Sequence, residues 1–336
     1  MMGHTPEHRR TRSLSVTETI AELNNELAEA RPLSRALPTG LDVLDQVMSG
    51  GLHAGELVML GGPPGVGKTI AALQMARNLA SSGTKCVFAC YEHEPATLLT
   101  RLLALEAGEL GNERPLARTI QQALDGEASA PSLRDALATT EHCVDALERI
   151  EAYADNLVLV RASGSHTTID ELAGLVDDHR KGDEPVALFV DYLQKIPLEP
   201  EPATESEKVT RTVEALKDLA LDANIPLVLL SAVDAEGMRA NRLRMYHLRG
   251  SSAIAFESDV VVMMNDKHKA VAKMHLTYDQ NRARGYKDWV VFSIEKNRGG
   301  PTLVDLEFRK DFRNFRFDPV GGLVEEQLVS ERLDDV

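Results

Sequence analysis

The feature that most constrains this chain is a glycine-rich stretch, Gly61 to Thr69, which fits the pattern of a phosphate-binding loop. A short apolar run, 56–60, precedes it and predicts a buried strand, and residues 70–80 predict a helix. In this arrangement the loop N–H groups and the helix start can surround phosphate oxygens. The residues predicted to hold the phosphates are Gly62, Pro63, Pro64, Gly65, Val66, Gly67, Lys68 and Thr69.

The closing pair of the loop carries the chemistry of a nucleoside triphosphate site. Lys68 is expected to neutralise the β- and γ-phosphates of ATP. The hydroxyl of Thr69 is expected to ligate Mg²⁺. A glycine-rich turn that binds nothing is the alternative, and the predicted strand and helix on either side argue against it.

Continuously apolar runs predict an α/β fold with a mostly parallel, twisted sheet. Such runs indicate strands buried on both faces and covered by helices. The six runs are 56–60, 85–91, 157–160, 186–191, 226–231 and 259–264. Three later runs predict antiparallel strands at the C-terminal end: Met274 to Tyr278, Trp289 to Glu295 and Leu303 to Phe308.

The chain divides by sequence pattern into three parts. Residues 1–32 are expected to form a disordered start followed by an amphipathic helix, Ser15 to Ala30, ending before Pro32. Residues 33–318 form the predicted ATPase domain, in which 109–155 is polar and helical. Residues 319–336 are an acidic tail that is expected to be loose from Leu323 onwards.

Composition limits the function classes. The formal net charge is −15, which argues against a large unspecific nucleic-acid surface. The first twelve residues are polar and basic with no apolar stretch behind them, so no signal peptide is predicted. No apolar run approaches the length of about 18 residues needed to cross a bilayer, so we expect a cytoplasmic protein with no membrane partner.

Two strand ends supply candidate acidic groups. Asp191 closes an apolar run and is expected to hold Mg²⁺ beside the triphosphate. Glu92 follows another apolar run and is expected to act as the general base, since parallel sheets bind ligands at the carboxyl ends of their strands. Glu94 is the rival for that role, and a solvated acidic pair is the remaining alternative.

A basic turn near the C-terminus is the candidate for a residue that acts on another subunit. In Lys296 to Pro301 the sequence Gly-Gly-Pro forces a turn, which places Lys296 and Arg298 near a hairpin tip. Cations there suit a finger that stabilises charge on a neighbour's γ-phosphate. A solvated basic turn explains the same spacing equally well, and spacing alone leaves both interpretations open.

Four arginines form the other basic cluster, and the histidines show no metal spacing. The arginines are Arg239, Arg242, Arg244 and Arg249. They could contact DNA phosphates or a partner, or form a flexible surface loop. His93 and four other histidines are interpreted as structural or surface residues.

From about Leu33 to Phe317 the chain resembles the C-terminal, RecA-like motor domain of DnaB-type replicative helicases. The matching stretches are the phosphate loop, Tyr91-Glu92, Phe189 to Gln194, Asn224 to Pro226 with Leu230-Ser231, Leu248-Arg249 with Ser252 to Ile254, Asp259 to Val261, and Lys296 to Pro301. The resemblance implies ATP hydrolysis in a ring of six around single-stranded DNA. It also implies that Glu92 is the catalytic base and that Lys296 and Arg298 act in trans. The predicted first helix stands where the family has a linker helix that docks on a neighbour.

Departures from the family pattern keep a second function open. About 30 residues precede the motor, where the family has a separate helical domain that recruits primase. The family's Leu-Ser-Gln ends in Ala232, its Arg-Glu-Ser-Gly reads 249–252 Arg-Gly-Ser-Ser, and its Glu-Gln reads Ala255-Phe256. The residues that tie ATP to DNA are therefore partly lost. A helicase or helicase-like translocase is one interpretation; a KaiC-like ATPase switch acting on a protein, or a structural ring, is the other.

Overall fold

The computed structural model describes residues 14–28, 36–112, 116–124, 132–182, 184–250, 252–278 and 280–329. The chain divides into two compact units, Met1–Arg35 and Ala36–Val336. Several predictions lie outside the described residues: the disorder of residues 1–13, the helix end at Ala30, the break at Pro32 and the tail beyond 329. None of the helices within the described ranges combines the length and the apolar character needed to cross a membrane.

Within its described residues, 14–28, the first unit forms the helix α1 (Val16–Ala28), which agrees with the predicted amphipathic helix over those residues. It begins at a capping box. The Glu18 N–H donates to the Ser15 hydroxyl at 3.2 Å, and the Ser15 N–H donates to the Glu18 carboxylate at 2.7 Å. Its apolar side chains recur every three or four residues and are exposed: Val16, Ile20, Leu23 and Leu27.

The second unit is built on one ten-stranded sheet. Its strands are β1 (Leu57–Gly61), β2 (Lys85–Cys90), β3 (Leu157–Arg161), β4 (Val186–Asp191), β5 (Leu227–Ser231), β6 (Val260–Asp266), β7 (Trp289–Asn297), β8 (Val304–Asp311), β9 (Arg316–Phe317) and β10 (Gly322–Leu323). They lie in the order β10-β8-β7-β6-β1-β5-β4-β2-β3, with β9 beside β8. The six strands from β6 to β3 in this order are parallel, and β7 to β10 are antiparallel, so the predicted mixed sheet is confirmed.

Helices cover this sheet. They are α2 (Asp42–Val47), α3 (Lys68–Ser81), α4 (Pro95–Glu109), α5 (Ala117–Leu124), α6 (Leu133–Leu137), α7 (Cys143–Tyr153), α8 (Ile169–His179), α9 (Glu205–Ala223), α10 (Ala253–Glu257), α11 (Lys267–Ala270), α12 (Lys273–Tyr278) and α13 (Gln280–Gly285). The Thr168 hydroxyl accepts from the Glu171 N–H and caps α8.

Alternate residues of each central strand pack into different layers. In β1, Val58 and Leu60 join the core beneath α3, α4 and α7, whereas Leu57 and Met59 join the core beneath α8 and α9. This two-sided burial explains why the strand sequences are continuously apolar rather than alternating.

One predicted strand is wrong. Residues Met274 to Tyr278 fall in the helix α12. Their alternation of apolar and polar residues imitates a strand, but Met274 is exposed, and β7 already has β6 on one side and β8 on the other. Both edges of β7 are thus occupied by other strands.

The prediction of a loose tail is wrong for residues 323–329. Leu323 pairs with β8, and Leu328 is buried and bridges to Val271. The buried ammonium of Lys267 lies 2.7 Å from the carboxylate of Glu326. A buried lysine requires such a partner, so the tail residues are held to the body by charge as well as by apolar contact.

Candidate nucleotide-binding site

The phosphate loop lies between β1 and α3, where the sequence predicted it. Gly65 and Gly67 adopt φ values of +80° and +104°, which L-residues rarely take. A Cβ at Gly67 would also come within 2.6 Å of the Phe312 ring and 2.8 Å of the Phe317 ring. The space at Gly65 is open. The loop is therefore a glycine-dependent cradle at the positive end of α3, which suits an anion.

Lys68 and Thr69 begin α3 and face the cradle. The Lys68 ammonium donates to the carbonyl oxygens of Gly62 at 2.6 Å and Pro63 at 3.1 Å. Burial lowers the pKa of Lys68, and the negative charges of Asp191 and Glu92 oppose this. The cation is therefore held at the loop, where phosphate oxygens can replace its carbonyl partners.

Asp191 is buried at the end of β4, with 2% of its surface exposed. Its carboxylate accepts a hydrogen bond of 2.7 Å from the Thr69 hydroxyl. Burial and the nearby charge of Glu92 raise the pKa of Asp191, while the Thr69 hydrogen bond and Lys68 lower it. A hydroxyl and a carboxylate oxygen this close together form a donor set that fits a hard divalent cation.

The structure separates the two rival carboxylates. Glu92 lines the cleft with Lys68 and Asp191. Glu94 pairs with Arg161, and both side chains of that pair are more than half exposed. Glu92 reaches the cleft because Cys90, two residues earlier, lies opposite Asp191 in the β2–β4 register.

Three residues of the cleft were missed by sequence reasoning. The cleft encloses about 350 Å³, and its lining also includes His93, Arg101 and Phe315. The Arg101 guanidinium carbon lies 5.3 Å from the centroid of the Phe315 ring. Arg101 was detectable as the one basic residue of the otherwise mostly apolar α4. Phe315, more than 200 residues away in sequence, gave no such signal.

Lys296 and Arg298 lie towards the opposite end of the parallel strands from this cleft. In β7, Lys296 is opposite Val261 and Asn297 is opposite Val260, which begins β6. The phosphate loop instead follows the last residue of β1, whereas the Arg298 N–H bonds to Asp259 at the level of Leu57, so about five residues of strand, about 16 Å, separate Arg298 from the loop. The structure does not bring these cations to the nucleotide cleft of their own chain.

Both cations rest on the end of α10. The Lys296 ammonium donates to the carbonyl oxygens of Ala255 at 2.8 Å and Phe256 at 3.1 Å. The Arg298 guanidinium donates to the Phe256 carbonyl at 2.6 Å and to the Asp259 carboxylate at 3.0 Å. Arg298 remains about half exposed, and the Phe256 side chain is exposed beside it.

The arginine cluster is largely bound to the body of the protein. Each ion pair has a different acidic partner: Arg242 with Asp305 at 2.8 Å, Arg244 with Glu295 at 2.7 Å, and Arg249 with Glu205 at 2.7 Å. Arg239 is exposed. Three of the four candidate phosphate contacts are thus already neutralised within the chain.

Gln194 connects the cleft to Arg249, the last residue of the arginine cluster. The side-chain oxygen Oε1 of Gln194 accepts a hydrogen bond of 3.3 Å from the backbone N–H of Ala232, which lines the cleft. Its amide donates to the Ser231 hydroxyl and to the Arg249 carbonyl, each at 3.0 Å. A hydrogen-bonded path therefore exists although Ala232 has no side chain able to sense a phosphate.

Comparisons with known proteins agree with this architecture. The family model described as DnaB-like helicase C terminal domain matches residues 36–317. The replicative DNA helicase DnaB of Treponema pallidum is 28% identical over 283 residues, which are 83% of this chain and 55% of that protein. DnaB of Rickettsia bellii is 26% identical over 329 residues, 90% of this chain and 61% of that protein. The chain thus spans a little over half the length of these relatives.

Solved structures show the same fold. The structure titled as the ATPase domain of the protein G40P aligns with a TM-score of 0.71 at 18% identity, covering 91% of this chain and 99% of that one. A DnaB-like replicative helicase, solved with attention to its interactions with primase, aligns with a TM-score of 0.65, also at 18% identity, over 91% of this chain and 67% of that one. These likenesses establish a RecA-like fold.

Proposed function

Because the chain belongs to the DnaB-like helicase C-terminal domain family, we propose that it is the ATP-hydrolysing motor of a ring that moves along single-stranded DNA. The observation that carries this proposal is the convergence of Lys68, Thr69, Glu92 and Asp191 on one cleft beside the glycine loop. The relatives named as replicative helicases support DNA as the substrate. Such a motor would act in the cytoplasm.

The cleft residues divide the hydrolysis of ATP among them. Backbone N–H groups of the loop and the Lys68 ammonium hold the triphosphate. Thr69 and Asp191 would hold Mg²⁺, which would supply positive charge to neutralise the β- and γ-phosphates. Glu92 orients a water molecule and takes its proton as the water oxygen attacks the γ-phosphorus, and the bond from that phosphorus to the bridging oxygen breaks to release ADP and phosphate. Arg101 adds a second cation to the lining of the cleft, close enough for its charge to act on Asp191.

The position of Lys296 and Arg298 supports an assembly in which each chain completes its neighbour's site. The two cations lie at one end of the parallel strands and the cleft lies at the other end. Copies stacked with these two ends in contact place one chain's cations against the next chain's cleft. Such head-to-tail contact between unlike surfaces closes into rings. We propose a ring of six, as the family resemblance implies.

Helix α1 supports the same assembly. Its apolar stripe needs a partner surface, and its position before the motor domain suits docking on the neighbouring copy in the ring. Docking on its own motor domain is the alternative that the sequence left open.

The internal ion pairs of the arginine cluster favour weak binding of DNA. Arg242, Arg244 and Arg249 each pair with a carboxylate of their own chain, which offsets their charge and weakens their attraction for DNA phosphates. Together with the net charge of −15, this supports the second candidate, an ATPase that acts on a protein partner. The names of the relatives favour the first candidate.

The deciding experiment measures ATP turnover with and without single-stranded DNA. A ring motor on DNA is stimulated by the strand, whereas a protein-directed ATPase turns over at the same rate in both. Lys68→Ala is the matched control, because it should abolish turnover under both conditions. Turnover that persists in Lys68→Ala would contradict the assignment of the cleft itself.

A further inference from the structure

His93 and Arg101 form a pair within the nucleotide cleft. One terminal nitrogen of the Arg101 guanidinium lies 3.0 Å from the Nε2 atom of His93. A guanidinium can only donate hydrogen bonds, so Nε2 must be the acceptor and the proton of a neutral imidazole must lie on Nδ1. The contact therefore exists only while His93 is uncharged.

Arg101 is held on two sides by this arrangement. Its guanidinium lies over the Phe315 ring on one side and bonds to His93 on the other. Both partners line the same cleft as Lys68. The charge of Arg101 lowers the pKa of the buried Asp191, so the guanidinium acts on the centre of the site.

The charged groups that act on His93 oppose each other. Burial lowers the pKa of His93, and Arg101 from α4 lowers it further, whereas the adjacent Glu92 raises it. Lys68 and Asp191 complete the charged lining of the cleft. A second positive charge on His93 would remove the acceptor and repel Arg101 across 3.0 Å.

We propose that His93 is a positioning residue, which holds Arg101 against Phe315 and in the cleft so that its guanidinium contacts the bound nucleotide. The proposal rests on the ATPase function above. It assigns to this histidine a role that depends on its neutral form, so the efficiency of ATP hydrolysis falls as His93 gains its proton.

The direction in which the efficiency of ATP hydrolysis changes with pH follows from the requirement for neutral His93. The pKa of His93 lies below its ordinary value, so the neutral acceptor is present at neutral pH and disappears as the pH falls through that lowered pKa. Because His93 titrates in the free protein, the effect appears in kcat/KM for ATP. The loss is at most about tenfold for each pH unit below the pKa, and it levels off at the kcat/KM of a protein in which Arg101 has lost this acceptor.

The test compares pH profiles of kcat/KM for Mg-ATP between pH 4.5 and 8.5, a range that extends about two units below the ordinary histidine pKa of about 6.5 because the pKa of His93 is lowered. His93→Gln supplies an amide oxygen that accepts from Arg101 at every pH, so its profile should lose the acidic limb seen in the wild type. His93→Leu removes the acceptor, so its kcat/KM should be reduced at all pH values. His179→Gln, at the end of α8, is the matched control and should retain the wild-type profile.

A second comparison separates positioning from general damage. In a double-mutant cycle, Arg101→Ala combined with His93→Leu should cost no more than Arg101→Ala alone, since His93 acts through Arg101. Additive losses would overturn the proposal, as would an acidic limb unchanged in His93→Gln. Thermal unfolding at each pH confirms that each variant is folded.

Failure of the proposed function is distinguishable from failure of this inference. If the wild type hydrolyses no ATP at any pH, the ATPase assignment fails. Binding of a fluorescent ATP analogue over the same pH series then decides the role of His93. Affinity that weakens at low pH in the wild type but not in His93→Gln supports the positioning role, and equal affinities refute it.

Discussion

Mixed assemblies test whether Lys296 and Arg298 serve the neighbouring chain. Lys68→Ala should inactivate the cleft of its own chain, and Arg298→Ala should inactivate the cleft of the next. The structure gives the reason: Arg298 lies about 16 Å from its own phosphate loop along the strands, bonded to Asp259 and the Phe256 carbonyl. Each variant alone should have little ATPase activity.

The rescue expected on mixing can be calculated from this geometry. In an equal mixture, a working site needs Lys68 from one chain and Arg298 from the next. Each requirement is met with a probability of one half, so about a quarter of the sites are intact if assembly is random and head to tail. ATP turnover measured after subunit exchange should reach about a quarter of the wild-type rate.

A second mixture is the control. Lys68→Ala and Glu92→Gln both damage the cleft of their own chain, so no arrangement of these chains restores a complete site. Rescue in the first mixture and none in the second indicates action in trans. If exchange is demonstrated by a labelled subunit and neither mixture shows rescue, the claim that Arg298 acts on the cleft of the neighbouring chain is refuted.

Further substitutions test the other assignments. Glu92→Gln should keep ATP binding and lower the steady-state turnover of ATP by about 10²-fold or more. Glu94→Gln should stay near the wild-type rate, because Glu94 pairs with Arg161 outside the cleft. The reverse result would show that Glu94 is the base. Arg244→Ala should lower the free energy of unfolding by about 1–3 kcal/mol in urea, since it leaves a nearly buried carboxylate unpaired, and Arg239→Ala, on an exposed side chain, should not. Gly67→Ala should abolish binding of a fluorescent ATP analogue, because its Cβ meets aromatic rings; unchanged affinity would contradict the description of the cradle. Binding to a labelled single strand should be weak at physiological salt, and each substitution that removes one protein–phosphate ion pair should lower its salt slope by about 0.7; tight binding would show that the internal arginine pairs open readily.

Much of the fold could be predicted because its strands and helices follow from local patterns of apolar and polar residues. The six parallel strands are continuous apolar runs, and each prediction agreed with the structure to within a few residues. The alternation in Met274 to Tyr278 misled because period-two patterns carry no information on whether a sheet has a free edge. The end of the chain misled because its charges were interpreted as solvated, whereas Glu326 is the partner of a buried lysine.

The candidate site was only partly predictable, for a similar reason. Glu92 was distinguished from Glu94 by an argument about strand ends, and the structure supplied the ion pair that takes Glu94 out of the cleft. His93 was interpreted as structural or surface because a single histidine has no recognisable spacing. Its partner, Arg101, becomes meaningful only beside Phe315.

The phosphate loop and its chemistry follow from the local sequence. A strand, a glycine turn and a helix start are contiguous, and their conformations depend on neighbouring residues, so the motif specifies its own geometry from Gly61 to Thr69. Which charged side chains remain available for function depends instead on the three-dimensional fold. The fold places Lys296 and Arg298 at the end of the parallel strands that is far from the cleft, and it gives three arginines of the cluster partners within the chain. These outcomes depend on strand order and on contacts between residues far apart in the chain, and the electrostatic energy of a charge is set by those contacts rather than by its sequence neighbours.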